Sequence, residues 1–185
     1  GASGGVFWAT IPALLKTKFN TNEILTSLML TYVALFILDY FVVGPWKDPA
    51  GYGLPKSMPF PEAGRLPILF DGLRVHIGVF FAVIICLITY VVYNKTLFGF
   101  KLKVSGLSSR ASQYAGFKYK NLIFYSLIIS GACAGLAGIF EVSGPIGLLY
   151  RDISPNYGFT AIIVAFLGRL HPLGIILSSL LIALT

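Results

Sequence analysis

The sequence predicts an all-α fold, a polytopic integral membrane helix bundle with discontinuous helices among its spans. Three observations carry that expectation. Of 185 residues, 56% are hydrophobic and only 11% charged, with a mean hydropathy of +0.82, too apolar for a water-soluble core to absorb. The apolar residues are gathered into runs long enough to cross a bilayer. The connections between those runs differ sharply in charge, as loops on opposite faces of a membrane do.

In chain order, Gly1 to Gly5 lead into the apolar stretch Val6 to Leu15, which contains Pro12 and reads as the short tail of a truncated span. There is no initiator Met and no basic start of a signal peptide, and the far end, Leu173 to Thr185, stops in an apolar run without a polar cap. The chain is therefore expected to be a fragment of a longer protein, forming a single transmembrane domain over 1–185. Ile24 to Val43 supplies 20 mostly apolar residues. At about 1.5 Å per residue that run matches a hydrocarbon core roughly 30 Å thick. Asn22 is placed to cap this helix, and Glu23 to sit at the positive end of its dipole.

Residues 44–74 form a connection with Pro45, Pro49, Pro55, Pro59, Pro61 and Pro67 and nearly balanced charge. Six prolines forbid a continuous helix, and the charge balance permits the outer side. A second span is expected over 77–93 and a third over 122–140. Between them lies 94–121, with Lys95, Lys101, Lys103, Arg110, Lys118 and Lys120 and no acidic residue. Basic residues in short connections are held in the cytoplasm, so this segment fixes orientation and accounts for much of the net charge of +7 without invoking nucleic acid. Lys16 and Lys18 then fall inside, 44–74 outside, and Val142 to Asn156, with Arg151 beside Asp152, outside again.

Within the basic connection, Val104 to Phe117 reads as a short helix with Ser108 or Ser109 as N-cap and Gly116 closing its end. Such a helix suits either a cleft of another protein or the lipid headgroups. Beyond Asn156, residues 157–168 and 173–185 are each too short to span easily and are interrupted by Gly168-Arg169-Leu170-His171-Pro172. Broken helices of this kind bring unpaired backbone to the midplane of transporters; one kinked span or a tight helical hairpin fits the pattern as well.

Several residues receive structural readings. Gly131, Gly135 and Gly138 with Ala134 permit close helix approach. Tyr40, Trp46, Tyr52, Tyr90 and Tyr93 form an aromatic belt, and Asp39 and Glu141 reach interfacial water. Cys86 and Cys133 are packing thiols, and His76 and His171 stand apart from any carboxylate or thiol cluster, so no metal site is expected. Asn94-Lys95-Thr96 matches a glycosylation sequon by chance on the cytoplasmic side. The chain contains no G-x-x-x-x-G-K-[ST] phosphate loop, G-x-S-x-G elbow or H-E-x-x-H motif, so no enzyme activity is expected of it.

The segment Gly106 to Phe117 is similar to the cytoplasmic coupling loop of permease subunits in bacterial ABC importers of the branched-chain amino acid, ribose and nucleoside type. The shared pattern is a Gly, two small residues and a closing Tyr-Ala-Gly: here Gly106, Ala111 and Ser112, and Tyr114-Ala115-Gly116. Arg110 stands where that family often carries an acidic residue. Phe19 to Leu30, Gly44 to Pro49, and Ser154 through Leu170 resemble further blocks of the family, and the first two are closest to nucleoside permeases linked to a basic membrane lipoprotein.

The resemblance implies a permease subunit in the bacterial plasma membrane, moving nucleosides by alternating access, with simple sugars such as ribose as the second substrate class. It implies an ABC ATPase, a second permease subunit and an extracytoplasmic substrate-binding lipoprotein as partners, ATP being used by the ATPase and no cofactor bound here. The coupling helix would present Gly106, Arg110, Ala111, Ser112, Tyr114, Ala115 and Gly116 to the ATPase. Candidates for the solute path are Asn22, Glu23, Thr26, Asn156 and Thr160. On charge and hydropathy alone, a channel or ion-coupled transporter without an ATPase stays open.

Overall fold

The structure is a computed structural model, and it describes residues 1–49, 55–61, 64–66, 77–150, 153–154 and 156–184. It is built from helices: α1 (Ala2–Phe19), α2 (Glu23–Val43), α3 (Gly78–Lys95), α4 (Leu97–Leu107), α5 (Ser109–Tyr114), α6 (Tyr119–Glu141), α7 (Tyr157–Leu167) and α8 (Pro172–Leu184). Among the described residues, three stretches are long and apolar enough to cross a membrane: Glu23–Val43, Gly78–Lys95 and Tyr119–Gly144. Almost none of their surface is buried within the chain. Side chains such as Phe36, Phe80 and Ile129 face outward, which makes lipid their solvent and the chain a membrane protein. Tyr52, His76, Arg151 and Asp152, and much of 44–74, lie outside the described residues.

The chain divides into two compact units. The first holds Gly1–Gly78 and Lys118–Ile153. Here α1 is a full helix of 18 residues, longer than the truncated tail expected from Val6 to Leu15. The N-terminal glycines, to which the sequence reading gave no role, are the residues that let α1 lie against α6. A Cβ on Gly5 would overlap the Gly131 carbonyl, and one on Gly131 would overlap the Ala9 methyl. Gly1 meets Gly135 and Ile139 while Gly5 meets Gly131 and Gly135, so the two helices run antiparallel. Helices in lipid gain no hydrophobic drive from meeting each other, and close backbone approach through small residues supplies the packing instead. Pro12 sits inside α1 and is buried there.

A three-residue turn joins α1 to α2. Asn20 adopts a left-handed conformation (φ 54°) and donates its backbone N–H to the Lys16 carbonyl at 3.1 Å. At its other end α6 continues past Glu141 through a π-helical turn, Val142–Ile146, which Gly147 closes at φ 67° by donating its N–H to the Val142 carbonyl at 2.8 Å. The sequence reading ended the helix at 140. The strap 55–61 crosses this corner: Ser57 N–H donates to the Leu149 carbonyl and Phe60 N–H to the Gly147 carbonyl, both at 2.8 Å, and the Ser57 hydroxyl accepts from Leu149 N–H at 2.8 Å.

The second unit holds Val79–Phe117 and Ser154–Thr185. Within it α7 and α8 double back on each other. Arg169 and Leu170 take successive left-handed conformations (φ 53° and 55°), and a Cβ on Gly168 or Gly174 would press into the backbone of the opposite helix. The Ser178 hydroxyl donates to the Val164 carbonyl at 2.9 Å, linking the pair a turn further out. Of the readings the sequence left open for 157–185, this geometry is the tight helical hairpin. The Cys86 thiol on α3 donates to the Pro172 carbonyl at 3.1 Å, and the Tyr90 ring meets His171 edge-on at 5.7 Å. Both cysteines are free.

Candidate functional site

The basic connection contains more helix than its composition suggested. Thr96 caps α4, its Oγ1 accepting from Gly99 N–H at 3.2 Å while its hydroxyl donates to the Val92 carbonyl at 2.6 Å. Any side chain on Gly99 would overlap the carbonyls of Val92 and Tyr93, so α4 starts flush against the end of α3. Lys103 is held back along this corner, donating to Asn94 Oδ1 at 2.9 Å and lying 4.5 Å above the Tyr93 ring. Lys101 lies 5.5 Å above the Phe117 ring. Thus Lys103 and Asn94 serve the corner itself, while Lys101 ties α4 to the residue that follows the next bend.

At Ser108 the backbone turns extended (φ −156°, ψ 120°) and the chain bends into α5. Ser108 Oγ accepts from Ala111 N–H at 3.3 Å as N-cap, and Gly116 follows the helix at φ 75°, a conformation that favours glycine. From Gly106 to Gly116 every residue is exposed except Ser112. Leu107 is 89% and Tyr114 94% exposed, an apolar pair on either side of the exposed Arg110 in sequence. Ser112 is fully buried, and its hydroxyl lies 2.8 Å from that of Ser105 on α4. Two large apolar side chains and one cation thus stand exposed on a short, internally braced loop.

The first unit contains a groove of about 390 Å³ between α1, α2 and α6. Its floor is the close packing of Gly5 and Ala9 against Gly131 and Gly135, and its polar groups are the Trp8 indole and the hydroxyls of Ser27, Thr31 and Ser130. Ser27 and Thr31 each donate to a carbonyl of α2, Ile24 and Ser27 respectively, so their hydroxyl oxygens keep only acceptor capacity.

The chain matches, over residues 1–185, the model of a family described as branched-chain amino acid transport system / permease component. The chain belongs to this family. The permease is 38% identical to a glucose ABC transporter permease of Haloferax volcanii, over 97% of this chain and 50% of that protein. It is 32% identical to a guanosine ABC transporter permease of Bacillus subtilis, over 98% of this chain and 53% of the relative. It is 29% identical to a nucleoside ABC transporter permease of Lactococcus lactis, over 96% and 51%. The chain thus spans about half the length of the curated relatives it matches. No solved structure matches it significantly.

In this permease the path candidates fall into two groups. Asn22, Glu23 and Thr26 gather at the turn between α1 and α2. Asn22 Oδ1 accepts from Ile24 N–H at 3.0 Å, Glu23 pairs with Lys16 at 2.6 Å, and the Thr26 hydroxyl donates to the Asn22 carbonyl at 2.9 Å. All three are engaged in holding the turn. Asn156 and Thr160 belong to the other unit, where Asn156, left-handed at φ 58°, accepts at its carbonyl from Phe159 and Thr160 N–H and so starts α7. None of the five lines the groove. The groove residues Trp8, Ser27, Thr31 and Ser130 escaped sequence reasoning, although Ser27 and Thr31 carry a usable signal: hydroxyls four apart occupy one face of an otherwise apolar helix. Of the coupling candidates, Gly106, Arg110, Ala111, Tyr114, Ala115 and Gly116 are exposed on the elbow, and Ser112 is turned inward. Among the described residues no group of His, Cys, Asp and Glu gathers that could hold a metal.

Proposed function

We propose that this chain is part of the permease of an ABC importer that moves nucleosides across the bacterial plasma membrane as a multi-pass protein. The observation that carries the reading is the family match across all 185 residues. The guanosine and nucleoside permeases among the relatives support the solute class. The greater identity to a glucose permease favours a second reading, a simple sugar, and the two share a polyhydroxylated ring. A groove that pairs the flat Trp8 indole with three hydroxyls suits such a ring: the indole covers its apolar face and the hydroxyls meet its edge.

The energy comes from a separate ABC ATPase that binds and hydrolyses ATP, this chain contributing no phosphate loop. Exposed Leu107 and Tyr114, with Arg110 between them, form the surface that the ATPase grips, and its closure drives alternating access of the spans. A second permease subunit completes the path, and an extracytoplasmic lipoprotein delivers the solute. The test is uptake of labelled guanosine into proteoliposomes holding the complete importer, competed in turn by uridine, ribose and glucose. Competition by uridine at concentrations where glucose has no effect supports the nucleoside reading. Competition by glucose alone replaces it with the sugar reading, and uptake without the ATPase sinks the importer altogether.

A further inference from the structure

Every residue from Gly106 to Gly116 faces outward except Ser112, and Ser112 is buried completely. Its one side-chain partner is equally unusual. Ser105, only 9% exposed, sits on the preceding helix, and the two hydroxyl oxygens are 2.8 Å apart. Each hydroxyl can donate to the other and accept, so the bond links α4 to α5 directly across the bend at Ser108. The backbone adds a brace on the same residue, the Phe117 N–H donating to the Ser112 carbonyl at 3.0 Å. At the other end of α4, Gly99 is pressed against the carbonyls of Val92 and Tyr93 at the end of α3. The path from the exposed face of α5 to a membrane-spanning helix therefore runs through two junctions. One is a backbone-to-backbone contact, and the other is this pair of hydroxyls.

We infer that Ser105 and Ser112 are positioning residues that lock α4 and α5 into one rigid elbow, so that a push on α5 reaches α3 instead of being absorbed at the Ser108 bend. The inference rests on the docking of the elbow to the ATPase proposed above. Ser112 touches no partner in this role; it acts through the bend. A hydroxyl pair suits the task because a buried hydroxyl without its mate is costly, which holds the bend at one angle. An apolar pair of the same size would pack without fixing a direction.

The consequence is a separation of gripping from transmission. In the complete importer in proteoliposomes, Ser105→Ala and Ser112→Ala are expected to keep ATPase association within about twofold of wild type, because the exposed face is untouched. ATP turnover continues, while solute imported per ATP hydrolysed falls about tenfold, from one buried hydroxyl left without its partner. In a background freed of other cysteines, Ser105→Cys with Ser112→Cys should cross-link on mild oxidation and recover the imported-per-ATP ratio, and lose it again on reduction. An unchanged ratio in both alanine variants overturns the inference. So does a loss of association that fully accounts for the loss of uptake, or a cysteine pair that fails to cross-link or to recover. Failure of the docking reading looks different: Leu107→Ala and Tyr114→Ala would then leave ATPase association at the wild-type level.

Discussion

Adding a single methyl group at Gly131 is expected to separate the helices at the centre of the first unit. A Cβ built there overlaps the Ala9 methyl and lies 2.7 Å from the Gly5 carbonyl oxygen, so neither neighbour is a flexible chain end that could swing aside. Ordinary contact requires roughly 3.5 Å or more, which forces α1 and α6 apart by close to an ångström. Over-packing of this kind costs about 1–3 kcal/mol, and the upper half of that range applies because backbone opposes the methyl. A loss of about 2 kcal/mol is a change of roughly thirtyfold in a folding equilibrium. Gly138 provides the control on the same helix, since a Cβ there meets nothing within 4 Å. Gly138→Ala should be neutral or stabilising by up to about 1 kcal/mol through helix propensity. The assay is the unfolding midpoint of the detergent-solubilised permease, read by loss of helical signal across a denaturant series. Equal midpoints for Gly131→Ala and Gly138→Ala would refute the claim that close backbone approach, and not the mere presence of small residues, holds α1 to α6.

Three further outcomes are expected. Tyr114→Ala with Leu107→Ala should weaken ATPase association in a pull-down at least about tenfold, since large exposed apolar anchors dominate interfaces, while membrane insertion is unaffected. Lys16→Met or Glu23→Gln should shift stability by less than about 1 kcal/mol, the pair being partly exposed and screened by solvent, and should leave uptake within about twofold; a large loss of uptake would return Glu23 to the solute path. Trp8→Ala should raise the KM for solute uptake about tenfold while ATPase association stays constant, because removing an aromatic stacking face costs binding and not docking. An unchanged KM would remove the groove from the path.

What could be read from the sequence followed the strength of each physical signal. Long apolar runs carry a large transfer free energy, and the helices α2, α3 and α6 lie close to the runs 24–43, 77–93 and 122–140. Punctuation residues were nearly as informative: Ser108 caps α5 and Gly116 follows it in the conformation expected of a closing glycine. The glycines of α6 were legible as a close-packing surface, but their partners were not: Gly1 and Gly5 have low helix propensity, about 1 kcal/mol each, and yet in α1 they are the surface that meets Gly131 and Gly135. Helix α4 was hidden by Lys101 and Lys103, which marked the segment as a polar loop; their ammonium groups instead lie over Phe117 and Tyr93.

Small polar residues carried the weakest signal, and the candidate sites depend on them most. Ser112 stands among exposed neighbours in sequence, and nothing in its size or hydropathy distinguishes it from Ser108 or Ser109. What separates them is a partner seven residues back across a bend, visible only once α4 is known to be a helix. The same holds for Ser27 and Thr31, whose hydroxyls satisfy their own helix and which line a groove floored by the close approach of Gly5 to Gly131. Membrane segments announce their length through composition, whereas the proposed sites rest on hydroxyls whose role is set by which neighbour lies within 3 Å. A glycine contact stands beside each hydroxyl arrangement: Gly99 seats α4 against α3, and Gly131 seats α6 against α1. Substituting Gly99 should therefore disturb transmission from the elbow to α3 while leaving its exposed face untouched, and substituting Gly131 should disturb solute binding by reshaping the floor of the groove.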